Sequence, residues 1–441
     1  MDKRRTGPAV SRRTLVKGAA AGAAASAVFA PTFFVRRARA QEATVRLTGF
    51  ISGGNAEQTV LEQQLATFAE QFPEITVEYE PIPAQYEVRL QADLAAGTAA
   101  DVFYVDSVLA PDLMSSGVLL PLDDLMAAAS VTAADFYPPL IQAFQYNGQT
   151  FGLPKDWSAL AMFYNTRIFE ENGITTAPAT WEEVRTVAQT LLDATGEPPV
   201  IVPPDFARYL AFHYQAGARI LNEDRTEVVV DDPAIQEATQ QALDFYYGLY
   251  RDGLATTPTD VGAQSADTAF GQESGAIVFE GNWVFGGFAQ NFPDLQYAAA
   301  PMPQGPGGQA TVAFTVSYSI FEGTEVPDAA WTLVNYLTGP EGMLQWTTEF
   351  GVMPSRPGIA EQWVAEFPER QLFVDAGAYA QPWQFGPGGQ QFITDATAAL
   401  QALFADDQSV EETATAFAEA AVENIEVSAP VATPAATPTA G

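Results

Sequence analysis

Two hydrophobic periods alternate through residues 44–125. Thr44–Phe50 is rich in β-forming side chains, and the turn-forming run Gly49–Asn55 breaks it. Leu61, Leu65, Phe68 and Phe72 then recur three or four positions apart, one apolar face of a helix that Pro73 ends. Ile75, Val77 and Tyr79 alternate as a strand. Tyr86, Leu90 and Leu94 repeat as a helix running to Gly97, and Val102–Val105 is a short apolar strand. This β-α-β-α-β order predicts a largely parallel sheet covered by helices, whose ligands sit at the carboxyl ends of the strands. The loops holding Ser52–Asn55 and Asp106 are therefore candidate site walls.

The middle of the chain is richer in helix signals. Thr180-Trp181-Glu182-Glu183 is a capping box, backed by Val184, Val187, Ala188, Leu191 and Leu192. Asp232-Pro233 starts a second helix, with Ile235, Ala238, Ala242, Phe245 and Leu249 on one face. Ala276–Phe279 is an apolar strand entering the turn Glu280-Gly281-Asn282-Trp283, which presents an aromatic. A Pro/Gly-rich connection, residues 301–308, precedes a strand at Val312–Ile320 and a helix over Asp328–Leu337. No fixed-period repeat is present.

The two ends are different polymers. Residues 1–40 carry nine Lys or Arg against one acid, Asp2, followed by the apolar run 18–30 and a small-x-small site at Ala38-Arg39-Ala40. This is the layout of a secretory signal, and its apolar run falls short of the roughly 20 residues a bilayer demands. Ser11-Arg12-Arg13-Thr14-Leu15-Val16-Lys17 resembles a twin-arginine signal. Residue 41 is Gln, so no Cys stands there for a lipid anchor. Residues 428–441 are only Ser, Ala, Pro, Val, Thr and Gly, a composition expected to be disordered.

Charge and composition exclude several classes. The 441 residues are 47% hydrophobic, enough for two or three domains. They contain no Cys and one His, which removes disulfides, thiolate zinc sites and multi-histidine metal centres. A net charge of −34 opposes binding to nucleic-acid phosphates. That acidity suits a high-salt habitat, but a soluble exported protein tolerates it equally well.

Four stretches, in order, resemble the extracellular solute-binding proteins of ABC sugar importers, the maltose-binding-protein-like group. They are Pro73–Val77 with Asp101–Asp106, then Tyr146–Pro154 with Leu160–Asn165 and Phe169, then Pro178–Glu183, and finally Gly275–Trp283 with Pro301–Pro303 and Trp331–Gly342. The resemblance implies a two-lobe α/β fold of the periplasmic-binding-protein kind, with hinge crossovers near 156–160, 299–303 and 338–343 and a ligand cleft between lobes. The expected division is a signal over 1–40, one lobe from 41–157 with 304–338, the other from 158–303 with 339–427, and a tail over 428–441.

A sugar shows apolar C–H patches on its faces and hydroxyls around its edge, so its site needs flat aromatics and planar polar groups. By position in the resemblance, Trp283 is the stacking aromatic, with a core Trp as its alternative. Asp106 is a polar contact, though a carboxylate at a strand end equally well caps a helix. Asp156 and Trp157 lie at the first expected crossover. Asn55, Glu280 and Asn282 sit in candidate loops, and Trp383 resembles a late family aromatic. Tyr209 and Arg356 complete the ligand-binding candidates; a surface salt bridge is the alternative for Arg356. Tyr164, Asn165 and Trp181 read as structural, and His213, within an aromatic run, as core.

The resemblance implies a non-enzymatic, monomeric, exported binding protein without metal or cofactor, which takes a sugar or oligosaccharide to permease subunits. Two other readings are a binder of another small polar solute and an exported glycoside hydrolase, which needs only two suitably placed carboxylates.

Overall fold

The computed structural model describes residues 43–51 and 55–427. The signal expected over 1–40, residues 41–42, Ser52–Gly54 and the expected tail over 428–441 lie outside them. Twelve strands are present among the described residues: β1 (Ala43–Phe50), β2 (Ile75–Ile82), β3 (Val102–Asp106), β4 (Gln145–Tyr146), β5 (Gln149–Thr150), β6 (Gly152–Asn165), β7 (Val200–Ile201), β8 (Ala255–Thr256), β9 (Ile277–Gly281), β10 (Tyr297–Ala300), β11 (Thr311–Ile320) and β12 (Ala380–Pro382). The β4–β5 hairpin stands apart. The other strands form one sheet in the order β2-β1-β3-β11-β6-β9-β7-β8, with β10 also on β6 and β12 on β11.

The β-α-β-α-β reading of the first segment matches the strands and the helices Ala56–Gln71 and Tyr86–Ala96, and β1 pairs in parallel with both β2 and β3. The rest of the sheet is mixed. Strand β11 runs antiparallel to β3 and β6, and β9 and β10 run antiparallel to β6.

Strand β6 is fourteen residues long and changes partner along its length. Residues 152–159 pair with β11, and residues 160–164 with β9. On its other edge strand β11 serves two neighbours, β12 at 311–313 and β3 at 316–320, and its pairing with β6 shifts register between Val316 and Ser317. These two strands join the halves of the sheet. One half buries its side chains in a cluster that includes Leu47, Phe68, Val102, Leu153, Trp331 and Trp346. The other is flanked by two clusters, one with Leu160, Phe212, Phe279 and Phe417, the other with Ala159, Phe163, Phe285 and Trp363.

Two chain segments pack differently from the expected division. Residues 304–310 stay with the second half. Gln304 exchanges backbone hydrogen bonds with Ala179 and Trp181, and the Gly307 N–H donates to the Gln215 carbonyl. A Cβ at Gly305 or Gly307 would lie 2.7 Å or 2.3 Å from the backbone at 215–217, so only glycine permits this approach. Conversely, Met343, Trp346, Phe350 and Val352 pack into the first half's cluster, and the third-cluster residues begin again at Met353. The apolar face of the helix Pro340–Phe350 finds its partner in the helix Ala56–Gln71, on the first half of the sheet.

Candidate functional site

Strands β1 and β3 point their carboxyl ends to the same side, as the parallel reading requires, and deliver Phe50 and Asp106 there. Asp106 closes β3, and its Oδ1 accepts hydrogen bonds from the Val108 N–H at 3.0 Å and the Ser107 hydroxyl at 3.4 Å. It therefore braces the turn after the strand; the following helix, Ala110–Ser116, begins after Leu109 with no side-chain cap. Burial pushes the Asp106 carboxyl up to about 7, with the charges of Glu87 and Asp156 adding to the shift.

Strand β6 contributes Lys155, Asp156 and Ser158. Lys155 is the one lysine after residue 40 and is almost wholly buried. Its Nζ lies 2.8 Å from Asp156 Oδ2 and 3.1 Å from Glu57 Oε1. It also sits 4.1 Å over the Trp346 ring and 4.6 Å over the Tyr104 ring. The Trp346 indole donates to the same Asp156 oxygen at 2.7 Å, and the Thr315 hydroxyl donates to the Asp156 carbonyl. Burial alone would lower the Lys155 ammonium, but the two carboxylates more than offset it and hold it above its usual range.

Strand β9 ends at Gly281, and Trp283 stands at the entrance of the helix Val284–Asn291. A Cβ on Gly281 would lie 2.1 Å from the Trp283 ring, so this glycine lets the indole fold back over the strand end. Phe314 of β11 meets Trp283 edge-on at 5.4 Å and Trp383 at 5.3 Å, a run of three aromatics from three separate elements. Trp383 is fixed through its backbone N–H, which donates to the Ala313 carbonyl. Beside Trp283, Arg208 donates from Nε to Glu280 Oε1 at 3.2 Å and from a terminal nitrogen to Oε2 at 2.9 Å.

These groups surround a cleft of about 390 Å³, within the range of small-molecule sites. Phe50, Trp283, Phe314, Phe350 and Trp383 give it flat apolar wall; Glu57, Glu87, Asp106, Asp156, Lys155, Arg208, Ser158 and Gln390 give it polar wall. Both halves of the sheet contribute. Among the described residues no group of three or more acids and histidines is placed to hold a metal ion.

Of the ten sequence candidates, Asp106, Asp156, Trp283 and Trp383 line this cleft. The other six do not. Trp157 packs in the third cluster, while its neighbours Asp156 and Ser158 face the cleft. Tyr209 is fully buried and its hydroxyl donates to the Thr239 carbonyl. Asn282 is buried as a clamp, its Oδ1 accepting from the Ala159 N–H and its amide donating to the Gly351 carbonyl. Arg356 donates to the Thr338 carbonyl at 2.7 Å and covers the Phe136 ring; neither the cleft nor a surface carboxylate is its partner. Glu280 lies behind the wall and holds Arg208. Asn55 is exposed before the helix Ala56–Gln71, its carbonyl accepting from the Thr59 N–H.

Sequence reading missed Lys155, Arg208, Glu57, Glu87, Phe50 and Phe314. Only Lys155 carried a signal, as the one lysine after residue 40. Of the residues read as structural, Asn165 caps the helix Thr166–Glu171 and Trp181 stacks on Phe245 at 4.3 Å.

A mixed α/β sheet whose two halves share long strands, with a cleft between them, is the architecture of two-lobe binding proteins. The GacH receptor of Streptomyces glaucescens, solved unliganded and with acarbose, superimposes with a TM-score of 0.77 at 23% identity, over 87% of this chain and 98% of that one. An ABC substrate-binding protein of Listeria monocytogenes, solved with cycloalternan, gives 0.77 at 20% identity, over 87% and 99%. Residues 52–344 match the model of the bacterial extracellular solute-binding proteins, and the chain belongs to that family. A maltotriose-binding protein of Pyrococcus abyssi is 25% identical over 293 residues, 64% of this chain and 60% of that protein.

Proposed function

We propose that this protein captures a sugar or oligosaccharide in the cleft and delivers it to an ABC import permease, acting as a monomeric carrier without catalysis. The observation that supports this most is the composition of the cleft wall. Trp283, Phe314 and Trp383 form an aromatic run along the cleft that offers ring surface to the C–H face of a pyranose, and buried carboxylates and cations beside it match hydroxyls. The family and the sugar-bound neighbours agree with that chemistry.

Closure would occur about β6 and β11, the strands that belong to both halves. A ligand touching both walls then favours the closed form. The test is a panel of mono- and oligosaccharides read by thermal shift and titration calorimetry, with small-angle scattering on any binder. The reading expects a bound sugar to raise the melting temperature and reduce the radius of gyration. No binding across the panel, or an unchanged radius at saturation, would overturn it. Export follows from the family; the twin-arginine route is expected from the sequence, and replacing Arg12 and Arg13 with Lys should block it.

A further inference from the structure

The charges lining the cleft do not balance. Four carboxylates, from Glu57, Glu87, Asp106 and Asp156, share it with two cations, Lys155 and Arg208. Both cations are already matched. Lys155 is held between Glu57 and Asp156, and Arg208 pairs with Glu280 behind the wall at 2.9 Å and with Asp205 at 3.4 Å. Among the described residues, no Lys or Arg lies within salt-bridge reach of Asp106 or Glu87. These two carboxyls come from different elements, β3 and the first turn of the helix Tyr86–Ala96, yet line the same cleft, and the Glu87 charge adds to the upward shift at Asp106.

We propose that the cleft takes an amine-bearing sugar, its ammonium seated against Asp106 and Glu87, and disfavours sugars that carry an acid group. The proposal rests on sugar binding in this cleft. An ammonium supplies three donors and one positive charge, which matches two carboxyls that have no cation of their own. A carboxylate or phosphate on the ligand would instead meet two unmatched acids, while the cations that could receive it are already engaged. The aromatics Phe50, Trp283 and Trp383 line the same cavity, so a ring face is covered while the amine is held. The state of Asp106 fits: burial, Glu87 and Asp156 favour its protonated form near neutrality, and an incoming cation should expel that proton. The other charged groups on the cleft are Glu57, Lys155 and Arg208.

The test is calorimetry of the mature protein with matched sets: glucose, glucosamine and glucuronate, the galactose and mannose equivalents, and β-1,4 trisaccharides of glucose and of glucosamine. The amine member should bind roughly tenfold or more tighter than its neutral parent, and its binding should release protons in buffers of different ionisation heat. Glu87→Gln, on a partly exposed helix turn, and Asp106→Asn, which keeps the acceptor for Val108, should each erase most of that preference, with melting curves confirming the fold. Neutral sugars binding as well as their amine counterparts would overturn the proposal and leave sugar transport standing. The same holds if an acidic sugar is preferred. Failure of the whole panel would overturn both.

Discussion

Arg208 and Glu280 meet through two hydrogen bonds, one to each carboxylate oxygen, and the pair holds the guanidinium carbon 5.4 Å from the centre of the Trp283 ring. Glu280 is buried and makes no part of the cleft wall, yet it fixes two groups that do. Such a bidentate pair sets the plane of the guanidinium as well as its position. Glu280→Ala should leave Arg208 without its main partner and free the side chain beside Trp283. Breaking a buried pair from one side costs about 3 kcal/mol or more, so melting should shift down clearly. Calorimetry should also show weaker sugar binding, although the substituted residue touches no ligand. Affinity equal to wild type would show that the pair is structural alone.

Trp283 is the most direct test of the cleft. Its indole is only partly buried, unlike Trp363, which is wholly enclosed. Trp283→Ala should weaken binding by about 2–3 kcal/mol, from loss of one aromatic face, with a small change in melting temperature. Trp363→Ala should do the reverse, lowering stability by about 3–5 kcal/mol. A strongly destabilised Trp283 variant with unaltered affinity would place that indole in the core.

Lys155 should be indispensable to the fold. Lys155→Met removes the charge and leaves Glu57 and Asp156 facing each other in a buried place, at a cost of about 3–5 kcal/mol. The Lys155 ammonium is held above its usual value, so its contribution is complete at neutral pH. It is lost only as pH rises past 10.5 and through the raised native value. Denaturant melts at pH 7 of the variant against wild type measure the effect. A loss below about 1 kcal/mol would mean that water or a rearranged partner neutralises the acids.

His213 is a source of acid sensitivity. It is buried among aromatics, and neither ring nitrogen has a hydrogen-bond partner. Burial first, and then the Arg219 charge, lowers it from the usual 6.5 to about 3. The unfolded chain therefore binds a proton that the folded chain refuses between those values. This residue should remove up to about 1.4 kcal/mol of stability for each pH unit below 6.5. His213→Phe should flatten that part of the stability–pH curve, as denaturant titrations at pH 7, 6, 5 and 4 would reveal. Parallel curves for the two proteins would exclude His213 as the cause.

The element pattern was legible in the chain because it rests on local chemistry. The helix Trp181–Thr195 begins where its capping sequence says, with the Thr180 hydroxyl accepting from the Glu183 N–H at 3.2 Å. The helix Pro233–Arg251 begins behind Asp232 in the same way, its carboxylate accepting from the Ala234 N–H. Strand β6 was less legible: its burial is nearly continuous, so no alternation marks which side chains face a cleft. The helices Gly389–Phe404 and Val410–Asn424 lie beyond Gly342, where the last stretch resembling the family ends, and they pack on each other and on the helices Phe206–Gln215 and Pro233–Arg251.

By itself the sequence determined the export-like leader, the acidity, the β-α-β opening and the aromatic at the end of β9, all of them set by residues within a few positions of one another. Tertiary structure alone decided that Trp157 and Tyr209 are core, that Arg356 serves a helix carbonyl, and that Arg208, Glu57 and Glu87 reach the cleft. The reason is distance along the chain. Arg208 meets a carboxylate 72 residues away, and Lys155 one 98 residues away. Each side chain also has two faces open to it until the sheet assigns one, so the residue type shows what it can bind, and only the pairing of β6 with β9 and β11 shows what it does bind.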